Sequence, residues 1–322
     1  MVAATGVPVR LDTGAAPTGQ TARMRLDQWQ RMGTHLAVGD DEVFVVDVPC
    51  DEPSAAPVVV LHGFPTSSVD WAPVVVPLSA RRRVVLLDMP GYGLSSKPDR
   101  AYGIASAADA ALGVLRQLRL GEFDLVSHDM GDTVAGELLA RDLEGSLTVG
   151  GSRPTIGRRV VTNGSIYLDM AKLTDGQHVL WSAPDEALRE EQAPNAEAME
   201  IALAATMAPP GSAASQPDPE DLRAAADGVC HDGGARLLPR LIRYLSDRRD
   251  NESRFTGAIE DHPAPLGIVW GDLDPIAVVG MAHRLAERRD DANLTVLEGV
   301  GHYPMLEAPG PFAEALLAHL DP

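Results

Sequence analysis

The chain has 322 residues, of which 45% are hydrophobic. It can therefore bury a sizeable core, and at about 150 residues per domain it forms one large domain or two. The formal net charge of -19 argues against nucleic acid and anionic membranes as partners, because both would repel the protein.

The N-terminal region lacks the basic start and apolar stretch of a secretory signal, and nowhere do about 18 apolar residues follow one another without interruption. We expect residues 1–25 to form a flexible leader. Cys50 and Cys230 are too few for a disulfide framework, so we expect free thiols. Together these features predict a cytoplasmic protein.

Apolar runs rich in β-branched residues recur along the chain and predict strands. They are VFVVDV (43–48), PVVVLHG (57–63), RVVLLDM (83–89), FDLVSH (123–128), RRVVTNG (158–164), LGIVWGD (266–272) and NLTVLEG (293–299). Most are continuous rather than alternating, which is typical of parallel strands covered by helices on both faces. The sequence therefore predicts an α/β fold with a mostly parallel sheet.

Between these runs lie segments with apolar residues three and four positions apart, which predict helices. They span residues 105–120, 132–143, 278–289 and 311–320. The alternation of strand and helix fails over residues 165–262, where the pattern is helical and no buried strand is evident. We expect a helical lid at 165–262, inserted into a core domain of residues 26–164 and 263–322.

Polar groups follow the ends of the predicted strands. They include His62-Gly63-Phe64-Pro65, Asp88-Met89-Pro90, Ser127-His128-Asp129, Asp272-Leu273-Asp274 and Gly301-His302. Because the carboxyl ends of parallel strands share one edge of a sheet, we expect reactive groups to gather there. The segment GYGLSS (91–96) is only a partial dinucleotide-binding fingerprint, so we expect no cofactor, and no metal site is indicated.

In their order along the chain these motifs resemble the α/β-hydrolase fold. The resemblance covers nearly all of the chain after about residue 25. It implies an eight-stranded, mostly parallel sheet flanked by helices, with a helical lid inserted after the sixth strand. It also implies a nucleophile, an acid and a base in that order along the chain.

The nucleophile lies in DLVSHDMGD (124–132), where Ser127 and Asp129 are rivals. Ser127 would imply acyl transfer, whereas Asp129 would imply alkyl transfer to a carboxylate. The turn of this family requires small residues two positions either side of the nucleophile. Ser127 would be flanked by Leu125 and Asp129, but Asp129 is flanked by Ser127 and Gly131. We therefore predict that Asp129 attacks.

The resemblance implies roles for further residues. His302 is the expected general base and Asp274 the acid that orients it, favoured over Asp272 by the family pattern W-G-x-x-D. The backbone N–H groups of Phe64 and Met130 are the expected oxyanion hole. Asn163, at the alternative acid position after the preceding strand, carries no charge.

Because its predicted nucleophile is an aspartate, the sequence resembles one branch of the family, the epoxide hydrolases and haloalkane dehalogenases. SHDMGDTVAGELLAR (127–141) and HYPMLEAPGPF (302–312) are also similar to the mesoderm-specific transcript protein group. Epoxide hydrolases protonate the substrate oxygen with lid tyrosines, and Tyr244 matches one by context, although the other has no clear counterpart. Haloalkane dehalogenases hold the halide with a Trp after the nucleophile, where this chain has Met130, which cannot donate a hydrogen bond.

The predicted function is therefore hydrolysis of an epoxide to a diol, with hydrolytic dehalogenation as the alternative, Trp181 then serving as the halide donor. A ligand-binding protein on a hydrolase scaffold and a serine esterase using Ser127 are further alternatives. We expect a small apolar substrate and a monomer or homodimer. The candidate pocket residues are His62, Phe64, Trp71, Met130, Tyr167, Met170 and Trp181.

Overall fold

The computed structural model describes residues 24–51, 55–212 and 216–321. The strands are β1 (Gly33–Val38), β2 (Asp41–Val48), β3 (Val58–Leu61), β4 (Val84–Leu87), β5 (Glu122–His128), β6 (Thr155–Thr162), β7 (Leu266–Gly271) and β8 (Asn293–Leu297). They form one eight-stranded sheet in the order β1-β2-β4-β3-β5-β6-β7-β8. The pairs β1–β2 and β2–β4 are antiparallel and the other neighbours are parallel, so the predicted mostly parallel sheet is confirmed.

Burial along the strands explains their sequence pattern. Every residue of β3 (VVVL) and β4 (VVLL) is buried, because these strands lie inside the sheet with helices over both faces. The edge strand β1 reads GTHLAV and has no fully buried residue. It was absent from the runs that predicted strands because its mixed polar and apolar residues lack the continuous apolar signal.

Helices cover the sheet. They are α1 (Leu26–Met32), α2 (Ala72–Ser79), α3 (Ile104–Gln117), α4 (Met130–Leu143), α5 (Asp175–Ser182), α6 (Ala196–Ala204), α7 (Pro219–Cys230), α8 (Leu238–Leu241), α9 (Tyr244–Asp250), α10 (Glu252–Asp261), α11 (Gly280–Arg288), α12 (Pro304–Glu307) and α13 (Pro309–Leu320). The helices α3, α4, α11 and α13 match the predicted amphipathic segments to within a few residues.

Between β6 and β7 the described residues form helices and no strand, as the sequence predicts. The last of these helices, α10, lies against α4, since a Cβ on Gly136 would come within 2.7 Å of the Phe255 carbonyl oxygen. Arg254 of α10 also pairs with Glu137 of α4 at 2.6 Å. The division into core and lid stays a prediction, and most of the expected leader lies outside the described residues.

Among the described helices, none has both the length and the apolar character that crossing a membrane requires.

Candidate active site

Residues from separate strand ends meet at one edge of the sheet. The turn after β3 supplies Phe64, the end of β5 supplies Asp129, the loop after β7 supplies Asp274 and the loop after β8 supplies His302. All of them are at least 95% buried. Parallel pairing of β3, β5, β6, β7 and β8 brings these carboxyl ends together, as expected for this class of sheet.

Asp129 occupies a sharp turn between β5 and α4. Its φ is 50° and its ψ is -114°, a conformation that non-glycine residues adopt at a cost in energy and that recurs at functional sites. The turn fits because its neighbours are small. A Cβ on Gly131 would lie 2.7 Å from the His62 carbonyl oxygen, and a Cβ on Gly63 would lie 2.8 Å from the Asp129 Cβ.

The Asp129 carboxylate faces a backbone donor. Oδ2 accepts a hydrogen bond from the Phe64 N–H at 2.9 Å. Met130 is the first residue of α4, so the positive end of the helix dipole also lies beside the carboxylate. An N–H held at this position would stabilise negative charge on the same oxygen in an ester intermediate.

Ser127 has a different environment. It is 1% exposed, and its hydroxyl donates to the carboxylate of Asp132. The serine therefore supports the start of α4. A serine nucleophile would need an imidazole as its base, but Ser127 contacts a carboxylate.

His302 and Asp274 form a hydrogen-bonded pair, with Nδ1 and Oδ2 2.8 Å apart. The other oxygen of Asp274 accepts from the N–H groups of Ile276 and Ala277 at 2.8 and 2.9 Å. Asn163 donates to Asp274 Oδ2 at 2.7 Å. These bonds fix the orientation of the carboxylate.

Asp272, the rival acid, lies elsewhere. Its Oδ1 accepts from the Gly299 N–H at 2.7 Å, so it closes the turn after β8. The geometry therefore brings Asp274, and not Asp272, to the imidazole.

Charges around His302 favour the imidazolium. Burial lowers the pKa of His302, but the charge of Asp274, its hydrogen bond and the charge of Asp129 outweigh burial and raise the pKa to about 9. At neutral pH the resting site thus holds a cation between two carboxylates.

Three buried phenols feel the charge of Asp129. Burial raises the pKa of Tyr244, and the charge of Asp129 raises it further. Burial and the charge of Asp129 also contribute to raising the pKa of Tyr92 and of Tyr303. The Tyr244 ring lies 5.6 Å from the Phe64 ring, centroid to centroid. The Tyr92 hydroxyl donates to Met130 Sδ at 3.1 Å, and the Tyr303 ring packs edge-on against His302.

The sequence singled out Tyr244 but missed Tyr92, Tyr303 and the supporting role of Asn163. A signal for both tyrosines was present, because Tyr92 follows a strand end in PGYG and Tyr303 is adjacent to His302. From the sequence, Asn163 was considered only as an uncharged residue at the alternative acid position. In the structure its side-chain amide donates a hydrogen bond to Asp274.

Other candidate pocket residues contact different parts of the protein. His62 bonds to backbone through both ring nitrogens, at Gly63 O and Met89 N, so it braces two strand ends. Trp71 is fully buried and packs on Phe312.

Three more of them lie between β6 and β7. The Tyr167 hydroxyl donates to Glu260 at 2.7 Å, and Met170 lies against Gly280. The Trp181 indole N–H donates to Ser246 Oγ at 3.0 Å. A lining role for these residues remains a prediction.

A narrow cleft beside Asp129 has a cavity volume of about 20 Å³ and is partly open to solvent. Its walls are apolar and aromatic, formed by Pro90, Tyr92, Tyr102, Gly103, Ile104, Ser106, Ala107, Met130, Leu241 and Tyr244. Met130, Tyr92 and Tyr244 connect this cleft to Asp129. No set of three or more His, Cys, Asp or Glu side chains is arranged to hold a metal ion in the part of the chain that the structure describes.

Comparisons with known proteins agree with this architecture. A model of the "Alpha/beta hydrolase family" matches residues 58–315. "Putative hydrolase LipZ" of Mycobacterium tuberculosis is 34% identical over 91% of this chain and 97% of that protein. The human "Mesoderm-specific transcript homolog protein" is 28% identical over 92% of this chain and 88% of that protein.

Among solved structures, an alpha/beta hydrolase fold protein from Burkholderia ambifaria is similar, with a TM-score of 0.68 and 19% identity over 89% of this chain and 99% of that one. The family model covers most of the chain, and LipZ matches over nearly its whole length. The chain therefore belongs to the alpha/beta hydrolase family.

Proposed function

We propose that this hydrolase opens epoxides to vicinal diols through a covalent ester on Asp129. The observation that carries the proposal is the aspartate at the turn between β5 and α4, where a φ of 50° presents its side chain beside the Phe64 N–H. A carboxylate can attack an sp3 carbon and form an alkyl ester. The hydroxyl of Ser127 is already bonded to Asp132, which argues against a serine esterase.

In the first step, an Asp129 oxygen bonds to a ring carbon of the epoxide. The ring carbon–oxygen bond breaks with its electron pair on oxygen, which takes the phenolic proton of Tyr244. Ester formation removes the charge of Asp129, which is one of the causes that raise the pKa of Tyr244. The phenol thus becomes a better acid as the ring opens.

In the second step, water cleaves the ester. Loss of the Asp129 charge also removes one of the causes that raise the pKa of His302, so the imidazolium passes its proton to the Tyr244 phenolate. The neutral imidazole then takes a proton from water, which attacks the ester carbonyl carbon, and the Phe64 N–H stabilises the oxyanion. The ester bond to the alkyl oxygen breaks, that oxygen takes the proton from His302, and the carboxyl proton of Asp129 returns to the imidazole.

The walls of the cleft support a small apolar substrate, because they consist mainly of aromatic and aliphatic side chains. Chains of the mesoderm-specific transcript group and LipZ share the family, but their names state no substrate. The residues of the cleft are therefore the basis for the proposed substrate class.

Halide displacement has less support. A departing halide needs hydrogen-bond donors, and Met130 has a thioether at the position after the nucleophile. The indole N–H of Trp181 is bonded to Ser246. An epoxide, in contrast, needs one phenol acid, and Tyr244 lies within the electrostatic reach of Asp129.

The test is turnover of a panel of small epoxides and of bromo- and chloroalkanes, with diol and halide measured separately. The native protein should form diol, and Asp129→Ala should lower kcat by about a thousandfold or more because it removes the nucleophile. Ser127→Ala, two residues away, is the matched variant and should retain most of the activity.

Other results would point to other functions. Halide release without diol would favour dehalogenation, and loss of activity in Ser127→Ala with activity kept in Asp129→Ala would favour an esterase. A native protein that binds ligands as Asp129→Ala does, with no turnover of any substrate, would be a ligand-binding protein on a hydrolase scaffold.

A further inference from the structure

A buried arginine lies behind Tyr244. Arg248 is on α9 and is 2% exposed. Its Nε donates to Thr133 Oγ1 at 2.9 Å, and Thr133 belongs to the first turn of α4, close to Asp129. Within the described residues, both Nη atoms lack a hydrogen-bond partner.

The guanidinium stacks on the aromatic ring of Tyr244. Arg248 Cζ lies 5.0 Å from the ring centroid, which is within the range of an attractive cation–π contact. The two residues are four positions apart on α9, so they share one face of the helix. The hydrogen bond to Thr133 and the contact with the Tyr244 ring together hold the guanidinium in place.

The charge of Arg248 is poorly neutralised. No carboxylate lies within ion-pair distance of it in the described ranges of the chain, and Asp132, which it attracts electrostatically, has its carboxylate bonded to Ser127. Burying a cation without a paired anion is unfavourable. The arrangement leaves the field of the guanidinium acting on the Tyr244 ring.

We propose that Arg248 is a positioning residue that stabilises the negative charge developing on Tyr244 as the phenol protonates the epoxide oxygen. This inference rests on the proposed function. In the first step of the proposed reaction, Asp129 forms its bond to carbon, the ring carbon–oxygen bond breaks, and the phenolic proton moves to the leaving oxygen. The charge that Asp129 loses then resides on the phenolate, against the face of the guanidinium.

The surroundings of the phenol agree with this role. Burial and the charge of Asp129 raise the pKa of Tyr244, while Arg248 lowers it. The phenols of Tyr92 and Tyr303 also face Tyr244 and carry no charge at neutral pH. Among these neighbours, Arg248 is the cation that lowers the pKa of Tyr244, against burial and the charge of Asp129, which both raise it.

The experiment measures ester formation and ester hydrolysis separately, in single turnovers with an epoxide that the native protein opens. Arg248→Met should slow ester formation about tenfold. It should leave ester hydrolysis within about twofold, because a less stabilised phenolate takes the His302 proton at least as readily before water attacks the ester. Arg248→Lys, which keeps the charge, should recover part of the rate. Arg223→Met removes an exposed cation from α7 and should change neither step.

A double-mutant cycle separates action through the phenol from a general effect on structure. In the Tyr244→Phe background, Arg248→Met should no longer slow ester formation, since there is no developing phenolate to stabilise. If Arg248→Met fails to fold, Thr133→Val, which removes only the anchor of the guanidinium, should slow the first step in the same selective way.

Equal slowing of both steps, or the same fold-change with and without the Tyr244 hydroxyl, would overturn the inference while leaving the epoxide proposal intact. A native protein that forms no ester with any epoxide would overturn both.

Discussion

The charge of Asp129 acts on several residues at once. It helps to raise the pKa of His302 to about 9 against the opposing effect of burial, and it raises the pKa of Tyr244. A reaction that converts this carboxylate into a neutral ester therefore changes the acid and the base together. The two proposed steps follow from a single change of charge.

The titration of His302 tests this coupling. Asp274→Asn and Asp129→Asn should each lower the pKa of His302 from about 9, because each removes a negative charge that favours the imidazolium, and Asp274 should have the larger effect. NMR of labelled histidine side chains measures these values. His319, whose pKa is lowered by burial, is the internal reference. An unchanged titration in Asp129→Asn would contradict the coupling.

Asp70 is another buried carboxyl group near the site. It is 1% exposed, and its Oδ2 accepts from the Thr66 hydroxyl. Burial raises the pKa of Asp70 to about 8, whereas in the unfolded chain it is close to 4. Between these values the folded state binds a proton that the unfolded state has lost, so stability falls as pH rises.

Asp70→Asn should remove this dependence. Relative to the variant, the native protein should lose up to about 1.4 kcal/mol of unfolding free energy per pH unit between roughly pH 4 and 8. Urea unfolding at pH 5 and at pH 8 measures the difference. Parallel stabilities of the two proteins across this range would show that Asp70 ionises normally.

Residue chemistry was partly predictable from the sequence. The small residues flanking Asp129 predicted a turn that the structure contains, with Gly131 packed against the His62 carbonyl. The partner of Trp181 was not predictable, because Ser246 is 65 positions away and only the packing of α5 against the α8–α9 region brings them together. Arg248 was missed since a charged residue on a helix is usually exposed.

At the scale of elements, the turn between β5 and α4 depends on glycines whose absent side chains make room for backbone. Gly131 in the first turn of α4 lies against the strand end of β3, and its added Cβ would lie 2.7 Å from the His62 carbonyl oxygen. Gly257 in the middle of α10 has no atom within 4 Å of the same position. An added Cβ would therefore meet backbone atoms at Gly131 and open space at Gly257.

Alanine at these two positions should have opposite effects. Gly257→Ala should stabilise the protein by about 0.5–1 kcal/mol, since alanine favours a helix interior. Gly131→Ala should destabilise it by about 1–3 kcal/mol and lower turnover, because β3 and α4 must move apart. Thermal unfolding of both variants measures the signs. Stabilisation by both would mean that the turn has more room than the structure indicates.

The edge strand β1 was not predictable, whereas the strands inside the sheet and the opposite edge strand β8 were. Continuous runs such as VVVL in β3 are apolar because both faces are buried, whereas β1 is half-exposed and alternates weakly. The short helix α2 was also missed. Its sequence, APVVVPLS, contains an internal Pro77 and three valines, which are poor helix formers.

At the scale of the whole molecule, the site depends on contacts between distant parts of the chain. Glu307 accepts hydrogen bonds from the N–H groups of Gly301 and Tyr303, which flank His302, and from Ala208, which follows α6. The His302 N–H donates to the Thr206 carbonyl. The helical region between β6 and β7 therefore holds the loop that carries the imidazole, a relation that local sequence patterns do not reveal.

The route of the water oxygen tests the central claim that Asp129 forms a covalent ester. In a single turnover with excess enzyme in oxygen-18 water, water attacks the carboxyl carbon of the ester, so the label should appear in the peptide that contains Asp129 while the diol stays unlabelled. Mass spectrometry of the diol and of the digested protein measures both. A labelled diol from the first turnover, with Asp129 unlabelled, would mean that water attacks the substrate directly and would contradict the account.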